Sequence, residues 1–211
     1  MSKNPQEHGQ NYHYNKAKKE GYRARSAYKL IEIEKRFNIF KRAFYILDLG
    51  SAPGSWLQVA KEYAEENLNK YNNDYYHRDY YKIMGVDTKN ITPIEDVSII
   101  KMDLMSNQFE KEIEAFYEGN KIDLIISDAS INKSGNKFSD QAKQFHLCSE
   151  ILKLSKFLKV RGNMVIKVFQ GADFDLFYKS MKDIFVLVKT LKPQSSYKKS
   201  NEIYIIALKK K

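Results

Sequence analysis

The sequence contains a single cysteine, Cys148, among 211 residues. One cysteine excludes an intrachain disulfide and any cysteine-based zinc site, and it reads as a sign of an intracellular, reducing location. Long apolar runs are also missing. None approaches the roughly 20 residues of a membrane span, so no membrane-embedded partner is expected. The first 20 residues are polar and lack the apolar core of a secretory leader, while Glu7, Glu20 and a scarcity of arginine argue against a transit peptide. The compartment, whether cytoplasm, nucleus or mitochondrion, stays open. Negative charge is in short supply as well: 26 acids face 36 Lys and Arg, a formal net charge of +10. Such an excess calls for an anionic partner, nucleic acid first and a membrane surface second.

Enough is present for one folded domain. Hydrophobic residues make up 43%, and neither an internal repeat nor a shift in composition divides the chain. Residues 1–21 read as a flexible basic arm, with Lys16, Lys18 and Lys19 clustered near Tyr12 and Tyr14. Residues 22–211 read as the single domain.

The chain is organised around Leu47-Asp48-Leu49-Gly50-Ser51-Ala52-Pro53-Gly54-Ser55-Trp56. An apolar run of strand length, Phe44 to Leu47, precedes it, and Trp56 to Tyr63 follows with apolar residues at helical spacing. This is a strand, a Gly-rich turn and a helix. Such a turn lets a ligand approach bare backbone at the positive end of a helix. It lacks the GKS/GKT ending of a P-loop, and its glycines are not spaced as G-x-G-x-x-G. Asp48 inside the motif would repel a pyrophosphate, so a ligand with a positive centre suits it better. S-adenosylmethionine, with its sulfonium and ammonium, meets that demand.

Taken in order, Arg23 to Phe37 reads as a helix capped by Ser26, with Leu30, Ile33 and Phe37 as its stripe. Lys29 falls off that stripe; alone it reads as a surface lysine. Asn67 to Tyr81 reads as an inserted surface loop. Lys82 to Val86 is a second strand ending in Asp87, placed to bind a ribose. Val97 to Ile100 is a third, leading to Asp103, which could meet an adenine amino group. Phe109 to Tyr117 is an amphipathic helix. Ile122 to Ser127 is a fourth strand, nearly continuous in apolar residues as a buried parallel strand should be, and it delivers Asp128 to the same crevice as the Gly-rich turn. After a polar loop, Asp140 to Leu158 is a long helix with Cys148 as core filler, and Arg161-Gly162 reads as a turn. Met164 to Phe169 is a fifth strand with Lys167 inside it, where a lysine is expensive unless it serves a purpose. Phe174 to Met181 is a helix, Ile184 to Thr190 a sixth strand, and Pro193 to Ser200 a basic loop with Lys198 and Lys199. Ile203 to Leu208 is the last strand, with Glu202 at its entrance and a solvated lysine tail, 209–211, behind it.

Five segments occur together and in order: Arg25-Ser26-Ala27-Tyr28-Lys29-Leu30, the Asp48 to Trp56 motif, Ser127-Asp128, Val165-Ile166-Lys167-Val168-Phe169-Gln170-Gly171, and Ser200-Asn201-Glu202-Ile203-Tyr204. On these the chain resembles the FtsJ-type (heat-shock) ribosomal RNA 2′-O-ribose methyltransferases, from about Tyr22 to Lys209. The resemblance implies an α/β, Rossmann-like methyltransferase fold: a seven-stranded, mostly parallel sheet, helices on both faces and an antiparallel last strand. It implies a catalytic tetrad at Lys29, Asp128, Lys167 and Glu202. Cofactor contacts fall on Gly54, Trp56, Asp87, Asp103 and Asp128, joined by Asp48, Gly50, Ala52, Pro53 and Ser55 of the Gly-rich stretch. Two departures stand out. The family usually continues Ser-Asp with Met-Ala-Pro-Asn, where this chain has Ala129-Ser130-Ile131-Asn132, a loss that would loosen the loop. The Asn67–Tyr81 stretch is longer than usual.

The implied reaction is in-line attack of a ribose 2′-hydroxyl on the methyl group of S-adenosylmethionine, leaving S-adenosylhomocysteine, with no need of a metal or a covalent intermediate. The hydroxyl is a weak acid, and Lys167 is the candidate base, with Lys29 near enough to weaken its hold on a proton and to contact phosphate. Ribosomal RNA or the large ribosomal particle is the expected substrate and a monomer the expected state. A tRNA methyltransferase and a catalytically silent, RNA-binding assembly factor are the alternatives.

Overall fold

The computed structural model describes residues 5–71, 79–132, 134–196 and 200–211. In chain order the elements are α1 (Pro5–Lys19), α2 (Ala27–Phe37), β1 (Tyr45–Leu49), α3 (Ser55–Tyr71), β2 (Lys82–Asp87), β3 (Ser98–Lys101), α4 (Phe109–Tyr117), β4 (Ile122–Ser127), α5 (Lys137–Lys153), β5 (Leu158–Phe169), α6 (Phe174–Ile184), β6 (Phe185–Leu191) and β7 (Glu202–Lys210). A short 3-10 turn, Leu154–Phe157, joins α5 to β5.

The strands form one sheet in the order β3-β2-β1-β4-β5-β7-β6. The first five pair in parallel, while β7 runs antiparallel to both β5 and β6. The chain builds outward from β1 to β3 and then restarts on the other side of β1 with β4. The sheet therefore reverses direction between β1 and β4, and crevices open beyond the carboxyl ends of strands at such a point.

Side chains of a strand alternate between faces, and two cores result. One face carries Leu47, Leu49, Val86, Ile125 and Ile166 against α4, α5 and α6, including Ile113, Cys148 and Phe177. The other carries Ile46, Ile83, Leu124, Ile126, Val165 and Tyr204 against α2 and α3, including Leu30, Ile33, Trp56 and Leu57. By the same alternation Lys167 lies on the α2 side, two residues beyond Val165.

Several elements differ from the sequence expectations. The expected N-terminal arm holds α1, whose Ala17 is 2% exposed; its last turn is tied down by Tyr22 N–H donating to Ala17 O and by Lys16 lying over the Tyr28 ring. A helix so polar has no apolar stripe to announce it. Ser26 does not cap α2; its hydroxyl pairs with Ser55 Oγ at 2.8 Å. The first residues of the expected 67–81 loop continue α3 to Tyr71, and Asn67 is buried, donating to Phe40 O and Ala43 O; residues 72–78 lie outside the described set. Arg161-Gly162 does not reverse the chain. It makes an irregularity within β5, where Arg161 has φ +66° and the register to β4 shifts around Asp123. The terminal lysines are not free in solvent: Lys210 Nζ donates to Leu158 O and Lys211 Nζ to Lys182 O and Asp183 O. Lys198 and Lys199 fall outside the described residues. No helix among the described residues is long and apolar enough to cross a membrane.

Candidate active site

The Gly-rich turn leaves β1 and is pinned to β2. Gly50 N–H and Ser51 N–H both donate to Val86 O, and Ser51 Oγ accepts from Val86 N–H while donating to Asp48 O. Gly50 has φ +74°, and a Cβ there would meet Ala129 Cα at 2.5 Å. The turn thus lies directly against the chain just past β4, and only glycine permits that approach.

Between these two segments opens a cleft of ≈ 320 Å³, within the size range of small-molecule sites. Gly50, Ala52, Asp87, Asp103, Asp128, Ala129, Ser130 and Asn132 line it, with Met102, Leu104 and Leu147 as its apolar wall. Asp87 grips the turn: Oδ2 accepts from Ala52 N–H at 2.9 Å and Oδ1 from Lys89 N–H at 2.8 Å. Each oxygen keeps a second lone pair for a ligand hydroxyl. Asp103 is exposed and orders its own loop through Met105 N–H. Asp48 is 0% exposed, and neither carboxyl oxygen has a hydrogen-bond partner among the described residues. Burial, then the charges of Asp128 and Asp87, push its carboxyl well above the usual carboxylate range. An orphaned buried acid, three lining acids and an apolar wall suit a ligand with a cationic centre and a flat apolar part.

Pro53, Gly54, Ser55 and Trp56 do not line the cleft. They hold the chain's own N-terminal segment. Arg23 Nη1 donates to Pro53 O and to Thr92 O, and a Cβ on Gly54 would lie 2.7 Å from that nitrogen. Trp56 is 2% exposed; its indole N–H donates to Ser26 O at 2.9 Å, and its ring lies 5.7 Å from that of Tyr204. These contacts dock the start of α2 on the start of α3 and so fix where Lys29 emerges.

Lys29 emerges over the C-terminal end of the sheet, beside the cleft. There Lys167 Nζ, from β5, lies 3.1 Å from Asp128 Oδ1 and donates to Asp128 O. Lys29 Nζ is 4.0 Å from Asp128 Oδ2. Glu202 stands opposite Phe169 in the β5–β7 pairing, and Tyr204 opposite Lys167, so Glu202 shares the face that carries Lys167 and Tyr204. Lys167 is 6% exposed, which makes the carboxylate beside it a necessity rather than an ornament.

The sequence reading missed Tyr204. Its hydroxyl donates to Asp128 Oδ1 at 2.5 Å and accepts from Lys29 Nζ at 3.2 Å. Burial first, then the Asp128 carboxylate, push this phenol well above its ordinary range, so it remains a donor at any working pH. The available signal was the two-residue step from Glu202, which puts both side chains on one face of a strand.

Comparison with known proteins gives the family. The model of the FtsJ-like methyltransferase family matches residues 22–210. A Methanosarcina acetivorans protein named ribosomal RNA large subunit methyltransferase E is 39% identical over 94% of this chain and 68% of its own length. A Neisseria gonorrhoeae protein of the same name is 37% identical over 97% of this chain and 94% of its own. A solved structure from Plasmodium falciparum, described as a candidate ribosomal RNA methyltransferase, superposes with a TM-score of 0.72 at 31% identity, covering 90% of this chain and 98% of that one. With the family model matched over residues 22–210 and relatives 37–39% identical along nearly the whole chain, the chain belongs to the FtsJ-like methyltransferases.

Proposed function

We propose that this protein transfers the methyl group of S-adenosylmethionine to a ribose 2′-hydroxyl of RNA, with ribosomal RNA of the large subunit as the substrate. The observation that carries this reading is the cluster of Lys29, Asp128, Lys167 and Tyr204 at the rim of an acid-lined cleft. The cofactor supplies a methyl group already activated by its sulfonium. Asp87, Asp103 and Asp128 line the cleft and are the acids that would hold it, Asp48 is buried and does not line it, and Met102, Leu104 and Leu147 offer a surface for its adenine.

What remains for the protein is to orient and deprotonate a weakly acidic hydroxyl. Asp128 engages two of the three donors of the Lys167 ammonium, its carboxylate and its main-chain oxygen fixing where Nζ points. The remaining position of Nζ faces the incoming hydroxyl and takes up its proton in the amine form. Lys29 brings a second positive charge to Asp128, and Tyr204 holds the Asp128 carboxylate in one orientation. Glu202 contributes a second acid on the same face. Along α2 beyond Lys29 is a separate groove of ≈ 300 Å³ lined by His13, Lys16, Tyr28, Glu32, Lys35 and Arg36; Arg36 pairs with Glu32 at 3.0 Å, and the remaining basic side chains offer phosphates a surface. The relatives' names and the net charge of +10 both favour RNA over a small-molecule acceptor.

Lys167→Arg tests the assignment. Arginine keeps a positive charge but does not give up its proton at any working pH. Single-turnover transfer of labelled methyl to ribosomal RNA or large-subunit particles should vanish, while RNA and cofactor affinities stay within a few-fold. The product of the wild type should be a 2′-O-methyl nucleoside. Near-normal rates in Lys167→Arg would remove Lys167 from the base role, and a wild type inactive on every RNA offered would remove the enzymatic reading.

A further inference from the structure

Gln144 lies in α5, on the face of the sheet opposite Lys29, and the mechanism above makes no use of it. It is 1% exposed, yet its amide reaches three separate points around the reactive centre. Nε2 donates to Ala129 O at 3.3 Å and to Lys167 O at 3.3 Å, and Oε1 accepts from Ile131 N–H at 3.1 Å. Cys148, one helical turn on, donates its thiol to the same Lys167 carbonyl at 3.3 Å.

These contacts join two strands where their chemistry departs from them. Asp128 is the first residue after β4, and its loop passes at once into Ala129, Ser130 and Asn132 along the cleft. On one side the loop is backed by Gly50, against which Ala129 packs. On the other, Gln144 holds it at residues 129 and 131. The same side chain fixes the Lys167 carbonyl, and with it the point from which the Lys167 side chain sets out. A lysine and a carboxylate 3.1 Å apart keep a reactive geometry only if both backbones are held to a fraction of an ångström.

Position 131 gives this clamp a particular meaning. The FtsJ-type pattern has proline there. Proline has a fixed φ and no N–H, so it stiffens a loop and needs no acceptor. Isoleucine brings both a freer backbone and a partly buried N–H that demands a partner. We propose that Gln144 is a positioning residue that sets the Asp128–Lys167 geometry, and that its amide does in this chain what a proline at position 131 would do. The effect on rate rests on the methyl-transfer reading; the effect on the loop does not.

The experiment compares wild type, Gln144→Leu, Ile131→Pro and the double variant. The readouts are amide hydrogen exchange over residues 129–132, melting temperature, RNA affinity and single-turnover methyl transfer at saturating cofactor. Gln144→Leu should speed exchange of the Ile131 amide by about tenfold or more, leave β1 and α3 amides unchanged, and slow transfer by about tenfold. RNA affinity should hold. Adding Ile131→Pro to Gln144→Leu should bring the rate back to within about threefold of wild type. If Gln144→Leu fails to fold, Gln144→Met, unbranched and flexible, carries the same comparison. Unchanged exchange at residue 131 would overturn the clamp, whatever the enzyme does. Faster exchange with an unchanged rate would overturn the positioning role, and a double variant no better than Gln144→Leu would overturn the equivalence with proline. A wild type inactive on RNA would count against the enzymatic reading, with the exchange result still deciding the clamp.

Discussion

Tyr204 and Lys29 stand 175 residues apart in the chain and meet over Asp128, the lysine donating to the phenol at 3.2 Å and the phenol to the carboxylate at 2.5 Å. The phenol therefore bridges the α2 lysine and the acid that holds Lys167, beside their direct approach at 4.0 Å. Tyr204→Phe keeps the ring against Trp56 and removes only the hydroxyl. A hydrogen bond to a charged group is worth about 1.5–3 kcal/mol, so single-turnover methyl transfer should fall by about 10- to 100-fold. The bond is already made in the folded protein, so the melting temperature should fall as well, by roughly 2–4 °C per kcal/mol lost. An unaltered rate would make Tyr204 a packing residue and nothing more.

Asp48 predicts a pH dependence of stability. Its carboxyl is pushed up in the folded protein, chiefly by burial, above the unfolded value of about 3.9. Its contribution to stability is then complete below that value and is lost as pH rises towards the folded pKa. Cofactor-free protein should accordingly be less stable at neutral than at mildly acidic pH on this account. Asp48→Asn should raise the melting temperature near pH 7, by roughly 2–4 °C per kcal/mol regained, with no gain near pH 4. Calorimetric scans of both proteins from pH 4 to 8 check it; parallel curves would mean that the buried carboxyl is satisfied in the folded state.

Two glycines with positive φ should behave differently. Gly50→Ala would set a Cβ 2.5 Å from Ala129 Cα and force the turn from the loop, for a loss well beyond the ~1–2 kcal/mol of a left-handed alanine and a fall in cofactor affinity of about tenfold or more. Gly135 has φ +89° but nothing within 4 Å of its Cβ position. Gly135→Ala should cost only the conformational part. Denaturant melts and cofactor titration separate the two, and equal losses would deny that Gly50 is there for close approach.

The groove beyond Lys29 should bind phosphate. Lys35→Ala with Arg36→Ala should weaken RNA binding and flatten the log–log salt dependence by about 0.7–0.9 for each phosphate that is no longer neutralised. Cofactor affinity should not change. Titrations at several salt concentrations provide the slope, and an unchanged slope would place the RNA on another face.

Much of this site was legible because strand chemistry writes itself plainly. Buried parallel strands leave near-continuous apolar runs, so Asp128 at the end of one and Lys167 inside another were visible as exceptions. The Gly-rich turn was visible for the same reason. Tyr204 was not, because an aromatic in a strand is ordinarily core, and only the pairing to Lys167 shows where its hydroxyl goes. Gly54 and Trp56 entered as cofactor contacts through the family resemblance; in the structure Gly54 lies against Arg23 and the Trp56 indole donates to Ser26 O. Gln144 was illegible in principle. Apart from Cys148 Sγ its partners are main-chain atoms of Ala129, Ile131 and Lys167, and main-chain atoms leave no mark on a sequence.

The placement of β7 has a consequence for how activity arises in time. The last strand in sequence is not the last in the sheet: it slots between β5 and β6 and brings Glu202 and Tyr204 with it. Up to that moment β5 has an open flank, and β6 finds none of the ladder hydrogen bonds that β7 gives it. The Gly-rich turn, the acids of the cleft and Lys167 all precede this strand. A chain folded only that far would have a cofactor cleft beside an unfinished reactive centre. On the proposed reading, closing the sheet and completing the site are one event, and a chain whose β7 has not yet paired should transfer no methyl group.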